Sequence, residues 1–281
     1  MLVKPFLPTG GTGILFGRGG TGKTQIALSL TKAILEGGFF LSRFRCRRGR
    51  VSYVQVDTPP QLFADRLHRL AATTEERAGF QPVIYDTSID SIAAAASPKP
   101  PQWALDIRDH HPDLVIVDSL RKVNPLDEND NKTPSQILAA WRRLVGNRPA
   151  ILFLHHANKQ GWNEDVPDED LIRGASAWTD DMDLGMFLRE KAGKVTLSWT
   201  KHRSCEEPKS MYVEMNKETL LMQSGDRARV RALALLGVGV EKAEAAKLLV
   251  TESLCSDKVT AYKILDEAAD LLTDPPESAT L

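Results

Sequence analysis

Gly17-Arg18-Gly19-Gly20-Thr21-Gly22-Lys23-Thr24 follows the apolar, strand-like run Ile14-Leu15-Phe16 and opens a helical pattern from Thr24 to Leu35. A glycine-rich loop between a strand and a helix, closing on Lys-Thr, is the pattern of a phosphate-binding P-loop. Without a Cβ, the glycines let the backbone turn its N–H groups inward around a polyphosphate. The helix start adds unpaired donors and the positive end of its dipole. Lys23 is then expected to reach the β- and γ-phosphates, and the Thr24 hydroxyl to bind Mg²⁺. Gly17, Arg18, Gly19, Gly20, Thr21, Gly22, Lys23 and Thr24 are the predicted cradle of a nucleoside triphosphate.

The flanking chain supplies acids at strand ends. Val51 to Val56 alternates and is β-branched, which predicts a strand ending at Asp57-Thr58-Pro59-Pro60. An acid there faces the crevice at the carboxyl ends of a parallel sheet. It can polarise the attacking water or cap the helix that follows. Leu114-Val-Ile-Val117-Asp118-Ser119 reads as a buried parallel strand ending in an acid, a Walker B pattern that puts Asp118 on the Mg²⁺ side. Ala150 to Leu154 is the next buried strand and ends in His155-His156. One of these can sense the γ-phosphate, or the two can be a capped imidazole pair.

Composition bounds the rest. The chain has 281 residues, a formal net charge of -1 and three distant cysteines, Cys46, Cys205 and Cys255. That length allows one large α/β domain with a small appendage. The charge excludes a globally basic DNA-coating protein, and the sparse cysteines suit a reducing compartment. No apolar run approaches the ~20 residues of a membrane span, so a cytoplasmic protein without a membrane partner is expected. Residues 1–224 are read as the nucleotide domain, 225–272 as a helical module and 273–281 as a tail.

Several segments are expected to frame the site. Helices are predicted over Leu62 to Leu70, Gln102 to His111 and Pro134 to Val145, a strand over Pro82 to Asp86, and a loop over Lys122 to Thr133. Gly185 to Arg189, Val195 to Thr200, Met211 to Met215 and Thr219 to Met222 read as strands, with Lys201-His202-Arg203 projecting from a strand end. Arg43, Arg45, Arg47, Arg48 and Arg50 form either a nucleic-acid or acidic-partner contact or a solvated loop. In the last part, Val230, Leu233 and Leu236 form one helical stripe. Ala243 to Leu249 and Val259 to Leu272 complete three helices that suit a helix-turn-helix module.

The order of P-loop, strand-end acid, Walker B and histidine-ended strand resembles the RecA-like ATPase core, and more closely the RepA-type hexameric replicative helicases of plasmids and phages. The resemblance runs through Gly17 to Thr24, Tyr53 to Leu70, Val115 to Asn129, Phe153 to Lys159 and Arg173 to Ser176. It implies an α/β fold with a mainly parallel sheet, ATP and Mg²⁺ as ligands, and a ring of six copies with ATP at the junctions. It also implies translocation on single-stranded DNA, with a recombinase or annealing protein that forms filaments on DNA, or a nucleotide-switched scaffold, as alternatives. The C-terminal helices stay open between a module docking a replication partner, a vestigial module and a DNA reader, since Lys258 and Lys263 are offset by Asp257, Asp266, Glu267 and Asp270. Asp57 becomes the general base, Asp118 the Mg²⁺-side acid, and His155 or His156 the sensor. Lys201 and Arg203 become a finger entering the neighbour's site, where a cation supplied in trans neutralises the transferring phosphoryl group; the alternative is a surface basic pair after a strand. Two departures stand out. Asp57 is one methylene shorter than the glutamate usual in that family. The loops expected along a DNA channel carry Asp127, Glu128, Asp130 and the acids from Glu164 to Asp170, where a strand-tracking groove is electropositive.

Overall fold

The computed structural model describes residues 1–68, 70, 73–84, 88–127, 130, 132–156, 176–203 and 208–273. The side chains of residues 176, 177 and 179 are not described. The expectations for Lys159, the Glu164 to Asp170 acids, Arg173 to Ala175, Cys205 and the tail from 274 lie outside these residues, as do Asp86 and Glu128.

The central sheet has nine strands: β1 (Thr12–Gly17), β4 (Val51–Gln55), β5 (Phe80–Ile84), β6 (Leu114–Asp118), β7 (Ala150–His156), β8 (Leu184–Lys191), β9 (Lys194–His202), β10 (Met211–Met215) and β11 (Met222–Ser224). Their order is β11-β10-β9-β8-β1-β7-β6-β4-β5. The pairings from β8 through β1, β7, β6 and β4 to β5 are parallel, and those from β8 to β11 antiparallel. A parallel sheet needs cover on both faces, which is why β1, β6 and β7 are almost wholly apolar. β8 and β9 join through Ala192 and Gly193, both at positive φ, the requirement of a two-residue hairpin turn.

Period-two alternation divides the side chains between two layers. On one face Leu152 and Leu154 pack with Leu15, Tyr53 and the apolar side of α1 (Lys23–Glu36), including Ile26, Leu30 and Ile34. The N-terminal Leu2, Val3, Phe6 and Leu7 belong to this layer, together with Phe40 and Phe44 of a two-stranded hairpin, β2 (Phe39–Phe40) and β3 (Phe44–Arg45). On the other face Ile151 and Phe153 meet Trp103 and Ile107 of α5 (Gln102–His110) and Ile137, Trp141 and Leu144 of α7 (Thr133–Val145). Trp141 is fully buried; truncating such a side chain to alanine costs about 3–5 kcal/mol. Shorter helices sit at the margins: α2 (Pro60–His68), α3 (Thr74–Ala78), α4 (Ser91–Ala96), α6 (Leu120–Val123) and α8 (Ser176–Asp181).

After β11 come α9 (Arg227–Gly237), α10 (Lys242–Thr251) and α11 (Lys258–Thr273), which pack on an apolar cluster of their own. On α9 Ala228, Ala232 and Leu235 are buried, and Leu233 and Leu236 of the expected stripe are partly buried against the same cluster. Small alanines carry the contact on α10 and α11 as well.

Other local expectations shift. The strand read at Pro82 to Asp86 lies at Phe80–Ile84, and the last strand begins at Met222 instead of Thr219. The stretch read as a loop from Lys122 starts inside α6. The arginine-rich segment is neither a free basic patch nor a bare solvated loop. Arg47 pairs with Asp113 at 2.7 Å, Arg48 with Glu75 at 2.9 Å, and Arg50 lies 3.1 Å from the His110 ring nitrogen. Arg45 and Arg43 stack over Phe39 and Phe44. Arg43 and Arg45 thus stay on the hairpin, while Arg47, Arg48 and Arg50 tie the chain after it to Asp113 before β6, to α3 and to α5.

Candidate active site

The P-loop, acid and histidine residues predicted for the site lie at the carboxyl ends of four adjacent parallel strands, while Lys201 and Arg203 lie at the end of antiparallel β9. Gly17 ends β1, Asp57 follows β4, Asp118 ends β6, and His155 and His156 end β7. The register sets Gly17 opposite His156 and Gln55 opposite Asp118.

Arg18, Gly19 and Gly20 are exposed at the tip of the loop, and Thr21 turns back, its hydroxyl donating to the Arg18 carbonyl at 2.8 Å. Gly20 and Gly22 have φ of +84° and +96°, where a side chain would be strained. A Cβ at Gly20 would meet nothing within 4 Å, so the space before the loop is open. Gly22 is the N-cap of α1 and supplies no side-chain cap, leaving the first N–H groups of that helix to a ligand. The rear of Gly22 is filled: a Cβ there would collide with Met222 Cε of β11, whose own N–H donates to Ser29 Oγ of α1 at 2.8 Å.

Lys23 is 6% exposed, and its ammonium donates to the Gly17 and Arg18 carbonyls at 2.8 and 2.9 Å. Burial lowers its pKa to about 8, outweighing the attraction of Asp118 and Asp57. Among the described residues its hydrogen bonds go to main-chain oxygens, which a polyphosphate can replace. Beside it the Thr24 hydroxyl donates to Asp118 Oδ2 at 2.8 Å. A hydroxyl and a carboxylate are the hard oxygen donors that Mg²⁺ takes alongside substrate phosphates. Both groups therefore fit, with Thr24 and Asp118 able to hold the metal. Burial raises the Asp118 pKa, while the hydrogen bonds from Thr24 and Tyr53 pull it back.

Asp57 is about one-third exposed, and His156 Nε2 lies 3.2 Å from its Oδ2. That hydrogen bond holds the Asp57 pKa below the usual carboxylate range, aided by the charges of Lys122 and Lys23. An ionised acceptor at the mouth of the crevice can take a proton from water.

Strand alternation separates the two histidines. His155 points to the opposite layer, 6% exposed, with its ring against Phe16 and Trp178 at centroid separations of 5.6 and 5.8 Å. Its Nδ1 has no partner among the described residues, and burial lowers its pKa to about 4. Lys201 and Arg203 turn back onto their own chain. Lys201 Nζ donates to the Asp180 carbonyl at 2.6 Å, and Arg203 to the same carbonyl at 3.0 Å and to Asp183 at 3.4 Å.

Two residues at the site escaped the sequence reading. Tyr53 and Gln55 are fully buried on β4, with the Tyr53 phenol donating to Asp118 Oδ2 at 2.9 Å. One orientation of the Gln55 amide satisfies all its neighbours: Nε2 donates to Asp118 Oδ2 at 3.2 Å and Oε1 accepts from the Asp57 N–H at 3.1 Å. The signal was there, since polar residues inside a central strand need partners.

Comparison with known proteins agrees with this fold. A family model described as an AAA domain matches residues 1–161. Among solved structures, the KaiC-like protein of the hyperthermophilic archaeon Pyrococcus horikoshii is 13% identical with a TM-score of 0.54, covering 79% of this chain and 93% of that one. A structure described as an ATPase domain is 15% identical with a TM-score of 0.53, covering 77% and 86%. The flagellar accessory protein FlaH of Methanocaldococcus jannaschii is 13% identical with a TM-score of 0.50, covering 76% and 89%. At such identities these structures share the fold, and function is argued from the site. Because the family model spans more than half of its residues, the chain belongs to the AAA domain family, with a RecA-like P-loop ATPase fold.

Proposed function

We propose that the protein hydrolyses ATP to ADP and phosphate with Mg²⁺, and that it uses the turnover, as a ring of copies, to move on single-stranded DNA in plasmid or phage replication. The observation that carries the hydrolysis is the convergence of Lys23, the Thr24–Asp118 pair and the Asp57–His156 pair at neighbouring strand ends. Bound between Thr24 and Asp118, the metal would neutralise charge on the β- and γ-phosphate oxygens. Lys23 exchanges its loop carbonyls for those phosphates, and the α1 N-terminus orients them. Asp57 accepts the proton of the attacking water as the water oxygen bonds to the γ-phosphorus and the bond to the β–γ bridging oxygen breaks. His156, already bonded to Asp57, is the better sensor of the pair because it faces the crevice. His155 supports the strand end from behind. Lys201 and Arg203 act as the finger only after leaving Asp180 for a neighbouring subunit's phosphates, which makes turnover depend on assembly.

The motor reading rests on the resemblance to RepA-type helicases. One observation favours a second reading, a nucleotide-switched scaffold whose C-terminal helices bind a partner. Arg47 is paired with Asp113 and Arg48 with Glu75, so part of the positive charge of this segment is neutralised within the chain before it meets any nucleic-acid backbone. Steady-state ATPase with and without single-stranded DNA, alongside mass by light scattering, tests both. A ring-sized mass with strong stimulation supports the motor, unstimulated turnover the scaffold, and no turnover in any assembly sinks the ATPase reading.

A further inference from the structure

The inward face of β4 is polar where packing alone would be served by Phe and Leu. Tyr53, Gln55 and Asp57 follow one another at the two-residue period of a strand, so all three lie on the P-loop side of the sheet. Burying a phenol and a carboxamide is unfavourable unless both are hydrogen-bonded. Here their partners are the two carboxylate-bearing elements of the site. Tyr53 Oη, Gln55 Nε2 and Thr24 Oγ1 all donate to a single atom, Asp118 Oδ2, at 2.9, 3.2 and 2.8 Å. Gln55 Oε1 in turn accepts from the Asp57 N–H and from the Thr58 N–H and hydroxyl. With the Gln55 amide in that orientation, three donors converge on one carboxylate oxygen and hold the Asp118 side chain in one rotamer.

We propose that Tyr53 and Gln55 are positioning residues that pin Asp118 through Oδ2, leave Oδ1 as the oxygen serving magnesium, and tie that carboxylate to the turn carrying Asp57. The proposal rests on the ATPase reading above. It makes the metal side and the water side of the site one mechanical unit, joined through the buried Gln55 amide beside the backbone bond from Val56 to Asp118.

The test is a magnesium titration of the binding of a fluorescent ATP analogue, run beside the same binding in EDTA. Tyr53→Phe keeps the ring and its packing on Phe63, 5.1 Å away. It should leave affinity in EDTA unchanged and raise the magnesium needed for half-maximal binding about 10- to 100-fold, the usual effect of losing a partner of a metal ligand. Gln55→Leu should show the same shift and, having lost the tie to the Asp57 turn, a fall in kcat larger than any change in KM. In an Asp118→Asn background Tyr53→Phe should add nothing, because its effect passes through that carboxylate. If both variants keep the wild-type magnesium requirement, or weaken binding equally with and without the metal, the proposal is overturned. Wild-type protein whose ATP binding ignores magnesium would instead overturn the ATPase reading on which it stands.

Discussion

Lowering the pH from 7 to 5 should cost the folded protein about 2 kcal/mol through one side chain, His155. The ring is 6% exposed, lies against Phe16 and Trp178, and its pKa falls from 6.5 to about 4 because burial penalises the imidazolium. An unfolded chain takes up this proton near 6.5, whereas the folded chain resists until about 4. Between those values the unfolded state binds more protons, so stability falls as pH falls, by about 3 kcal/mol in full. His155→Phe keeps an aromatic ring in an aromatic pocket and removes the titration. Urea unfolding of both proteins at pH 7, 6 and 5 isolates the contribution, since every other group titrates in both. The wild-type stability should drop relative to the variant by about 2 kcal/mol across that window. Parallel curves would refute the reasoning and place His155 where a proton can reach it.

Lys23→Ala should abolish ATP binding or turnover, read by equilibrium binding and phosphate release. In the wild type, affinity should weaken as the pH rises past about 8, where the free enzyme's Lys23 loses its proton. Asp57→Asn should keep nucleotide affinity within about threefold but lose at least about 100-fold in kcat, the scale of one general base; retained rates would leave Asp57 a cap. Mixing Arg203→Ala with Asp57→Asn subunits should restore turnover at junctions pairing one intact finger with one intact base, and mixed assemblies that stay inactive would count against a finger in trans.

The parts legible in the sequence were those encoded over a few consecutive residues. The P-loop, the strand end at Asp118 and the acid at Asp57 each announce themselves through local pattern, and the sheet follows from their apolar flanks. What stayed hidden depends on distant partners. The arginines from 43 to 50 were ambiguous because Asp113, 66 positions from Arg47, decides their use. Lys201 and Arg203 read as projecting, yet the Asp180 carbonyl that receives both belongs to α8. On α9 the stripe of large residues shows only part of the inner face, because the fully buried positions Ala228 and Ala232 are small and carry little hydrophobic signal. His155 and His156 could have been told apart by carrying the alternation of β7 two residues further.

The contact between Met222 and the back of Gly22 has a consequence for the chain's far end. The Met222 methyl fills the space behind that glycine and the Met222 N–H bonds Ser29 Oγ of α1, so loop, first helix and edge strand meet at this point. Only two residues separate the end of that strand from the first C-terminal helix. The phosphate cradle and the root of the helical cluster are thus next-door neighbours in space, although some two hundred residues of chain lie between them.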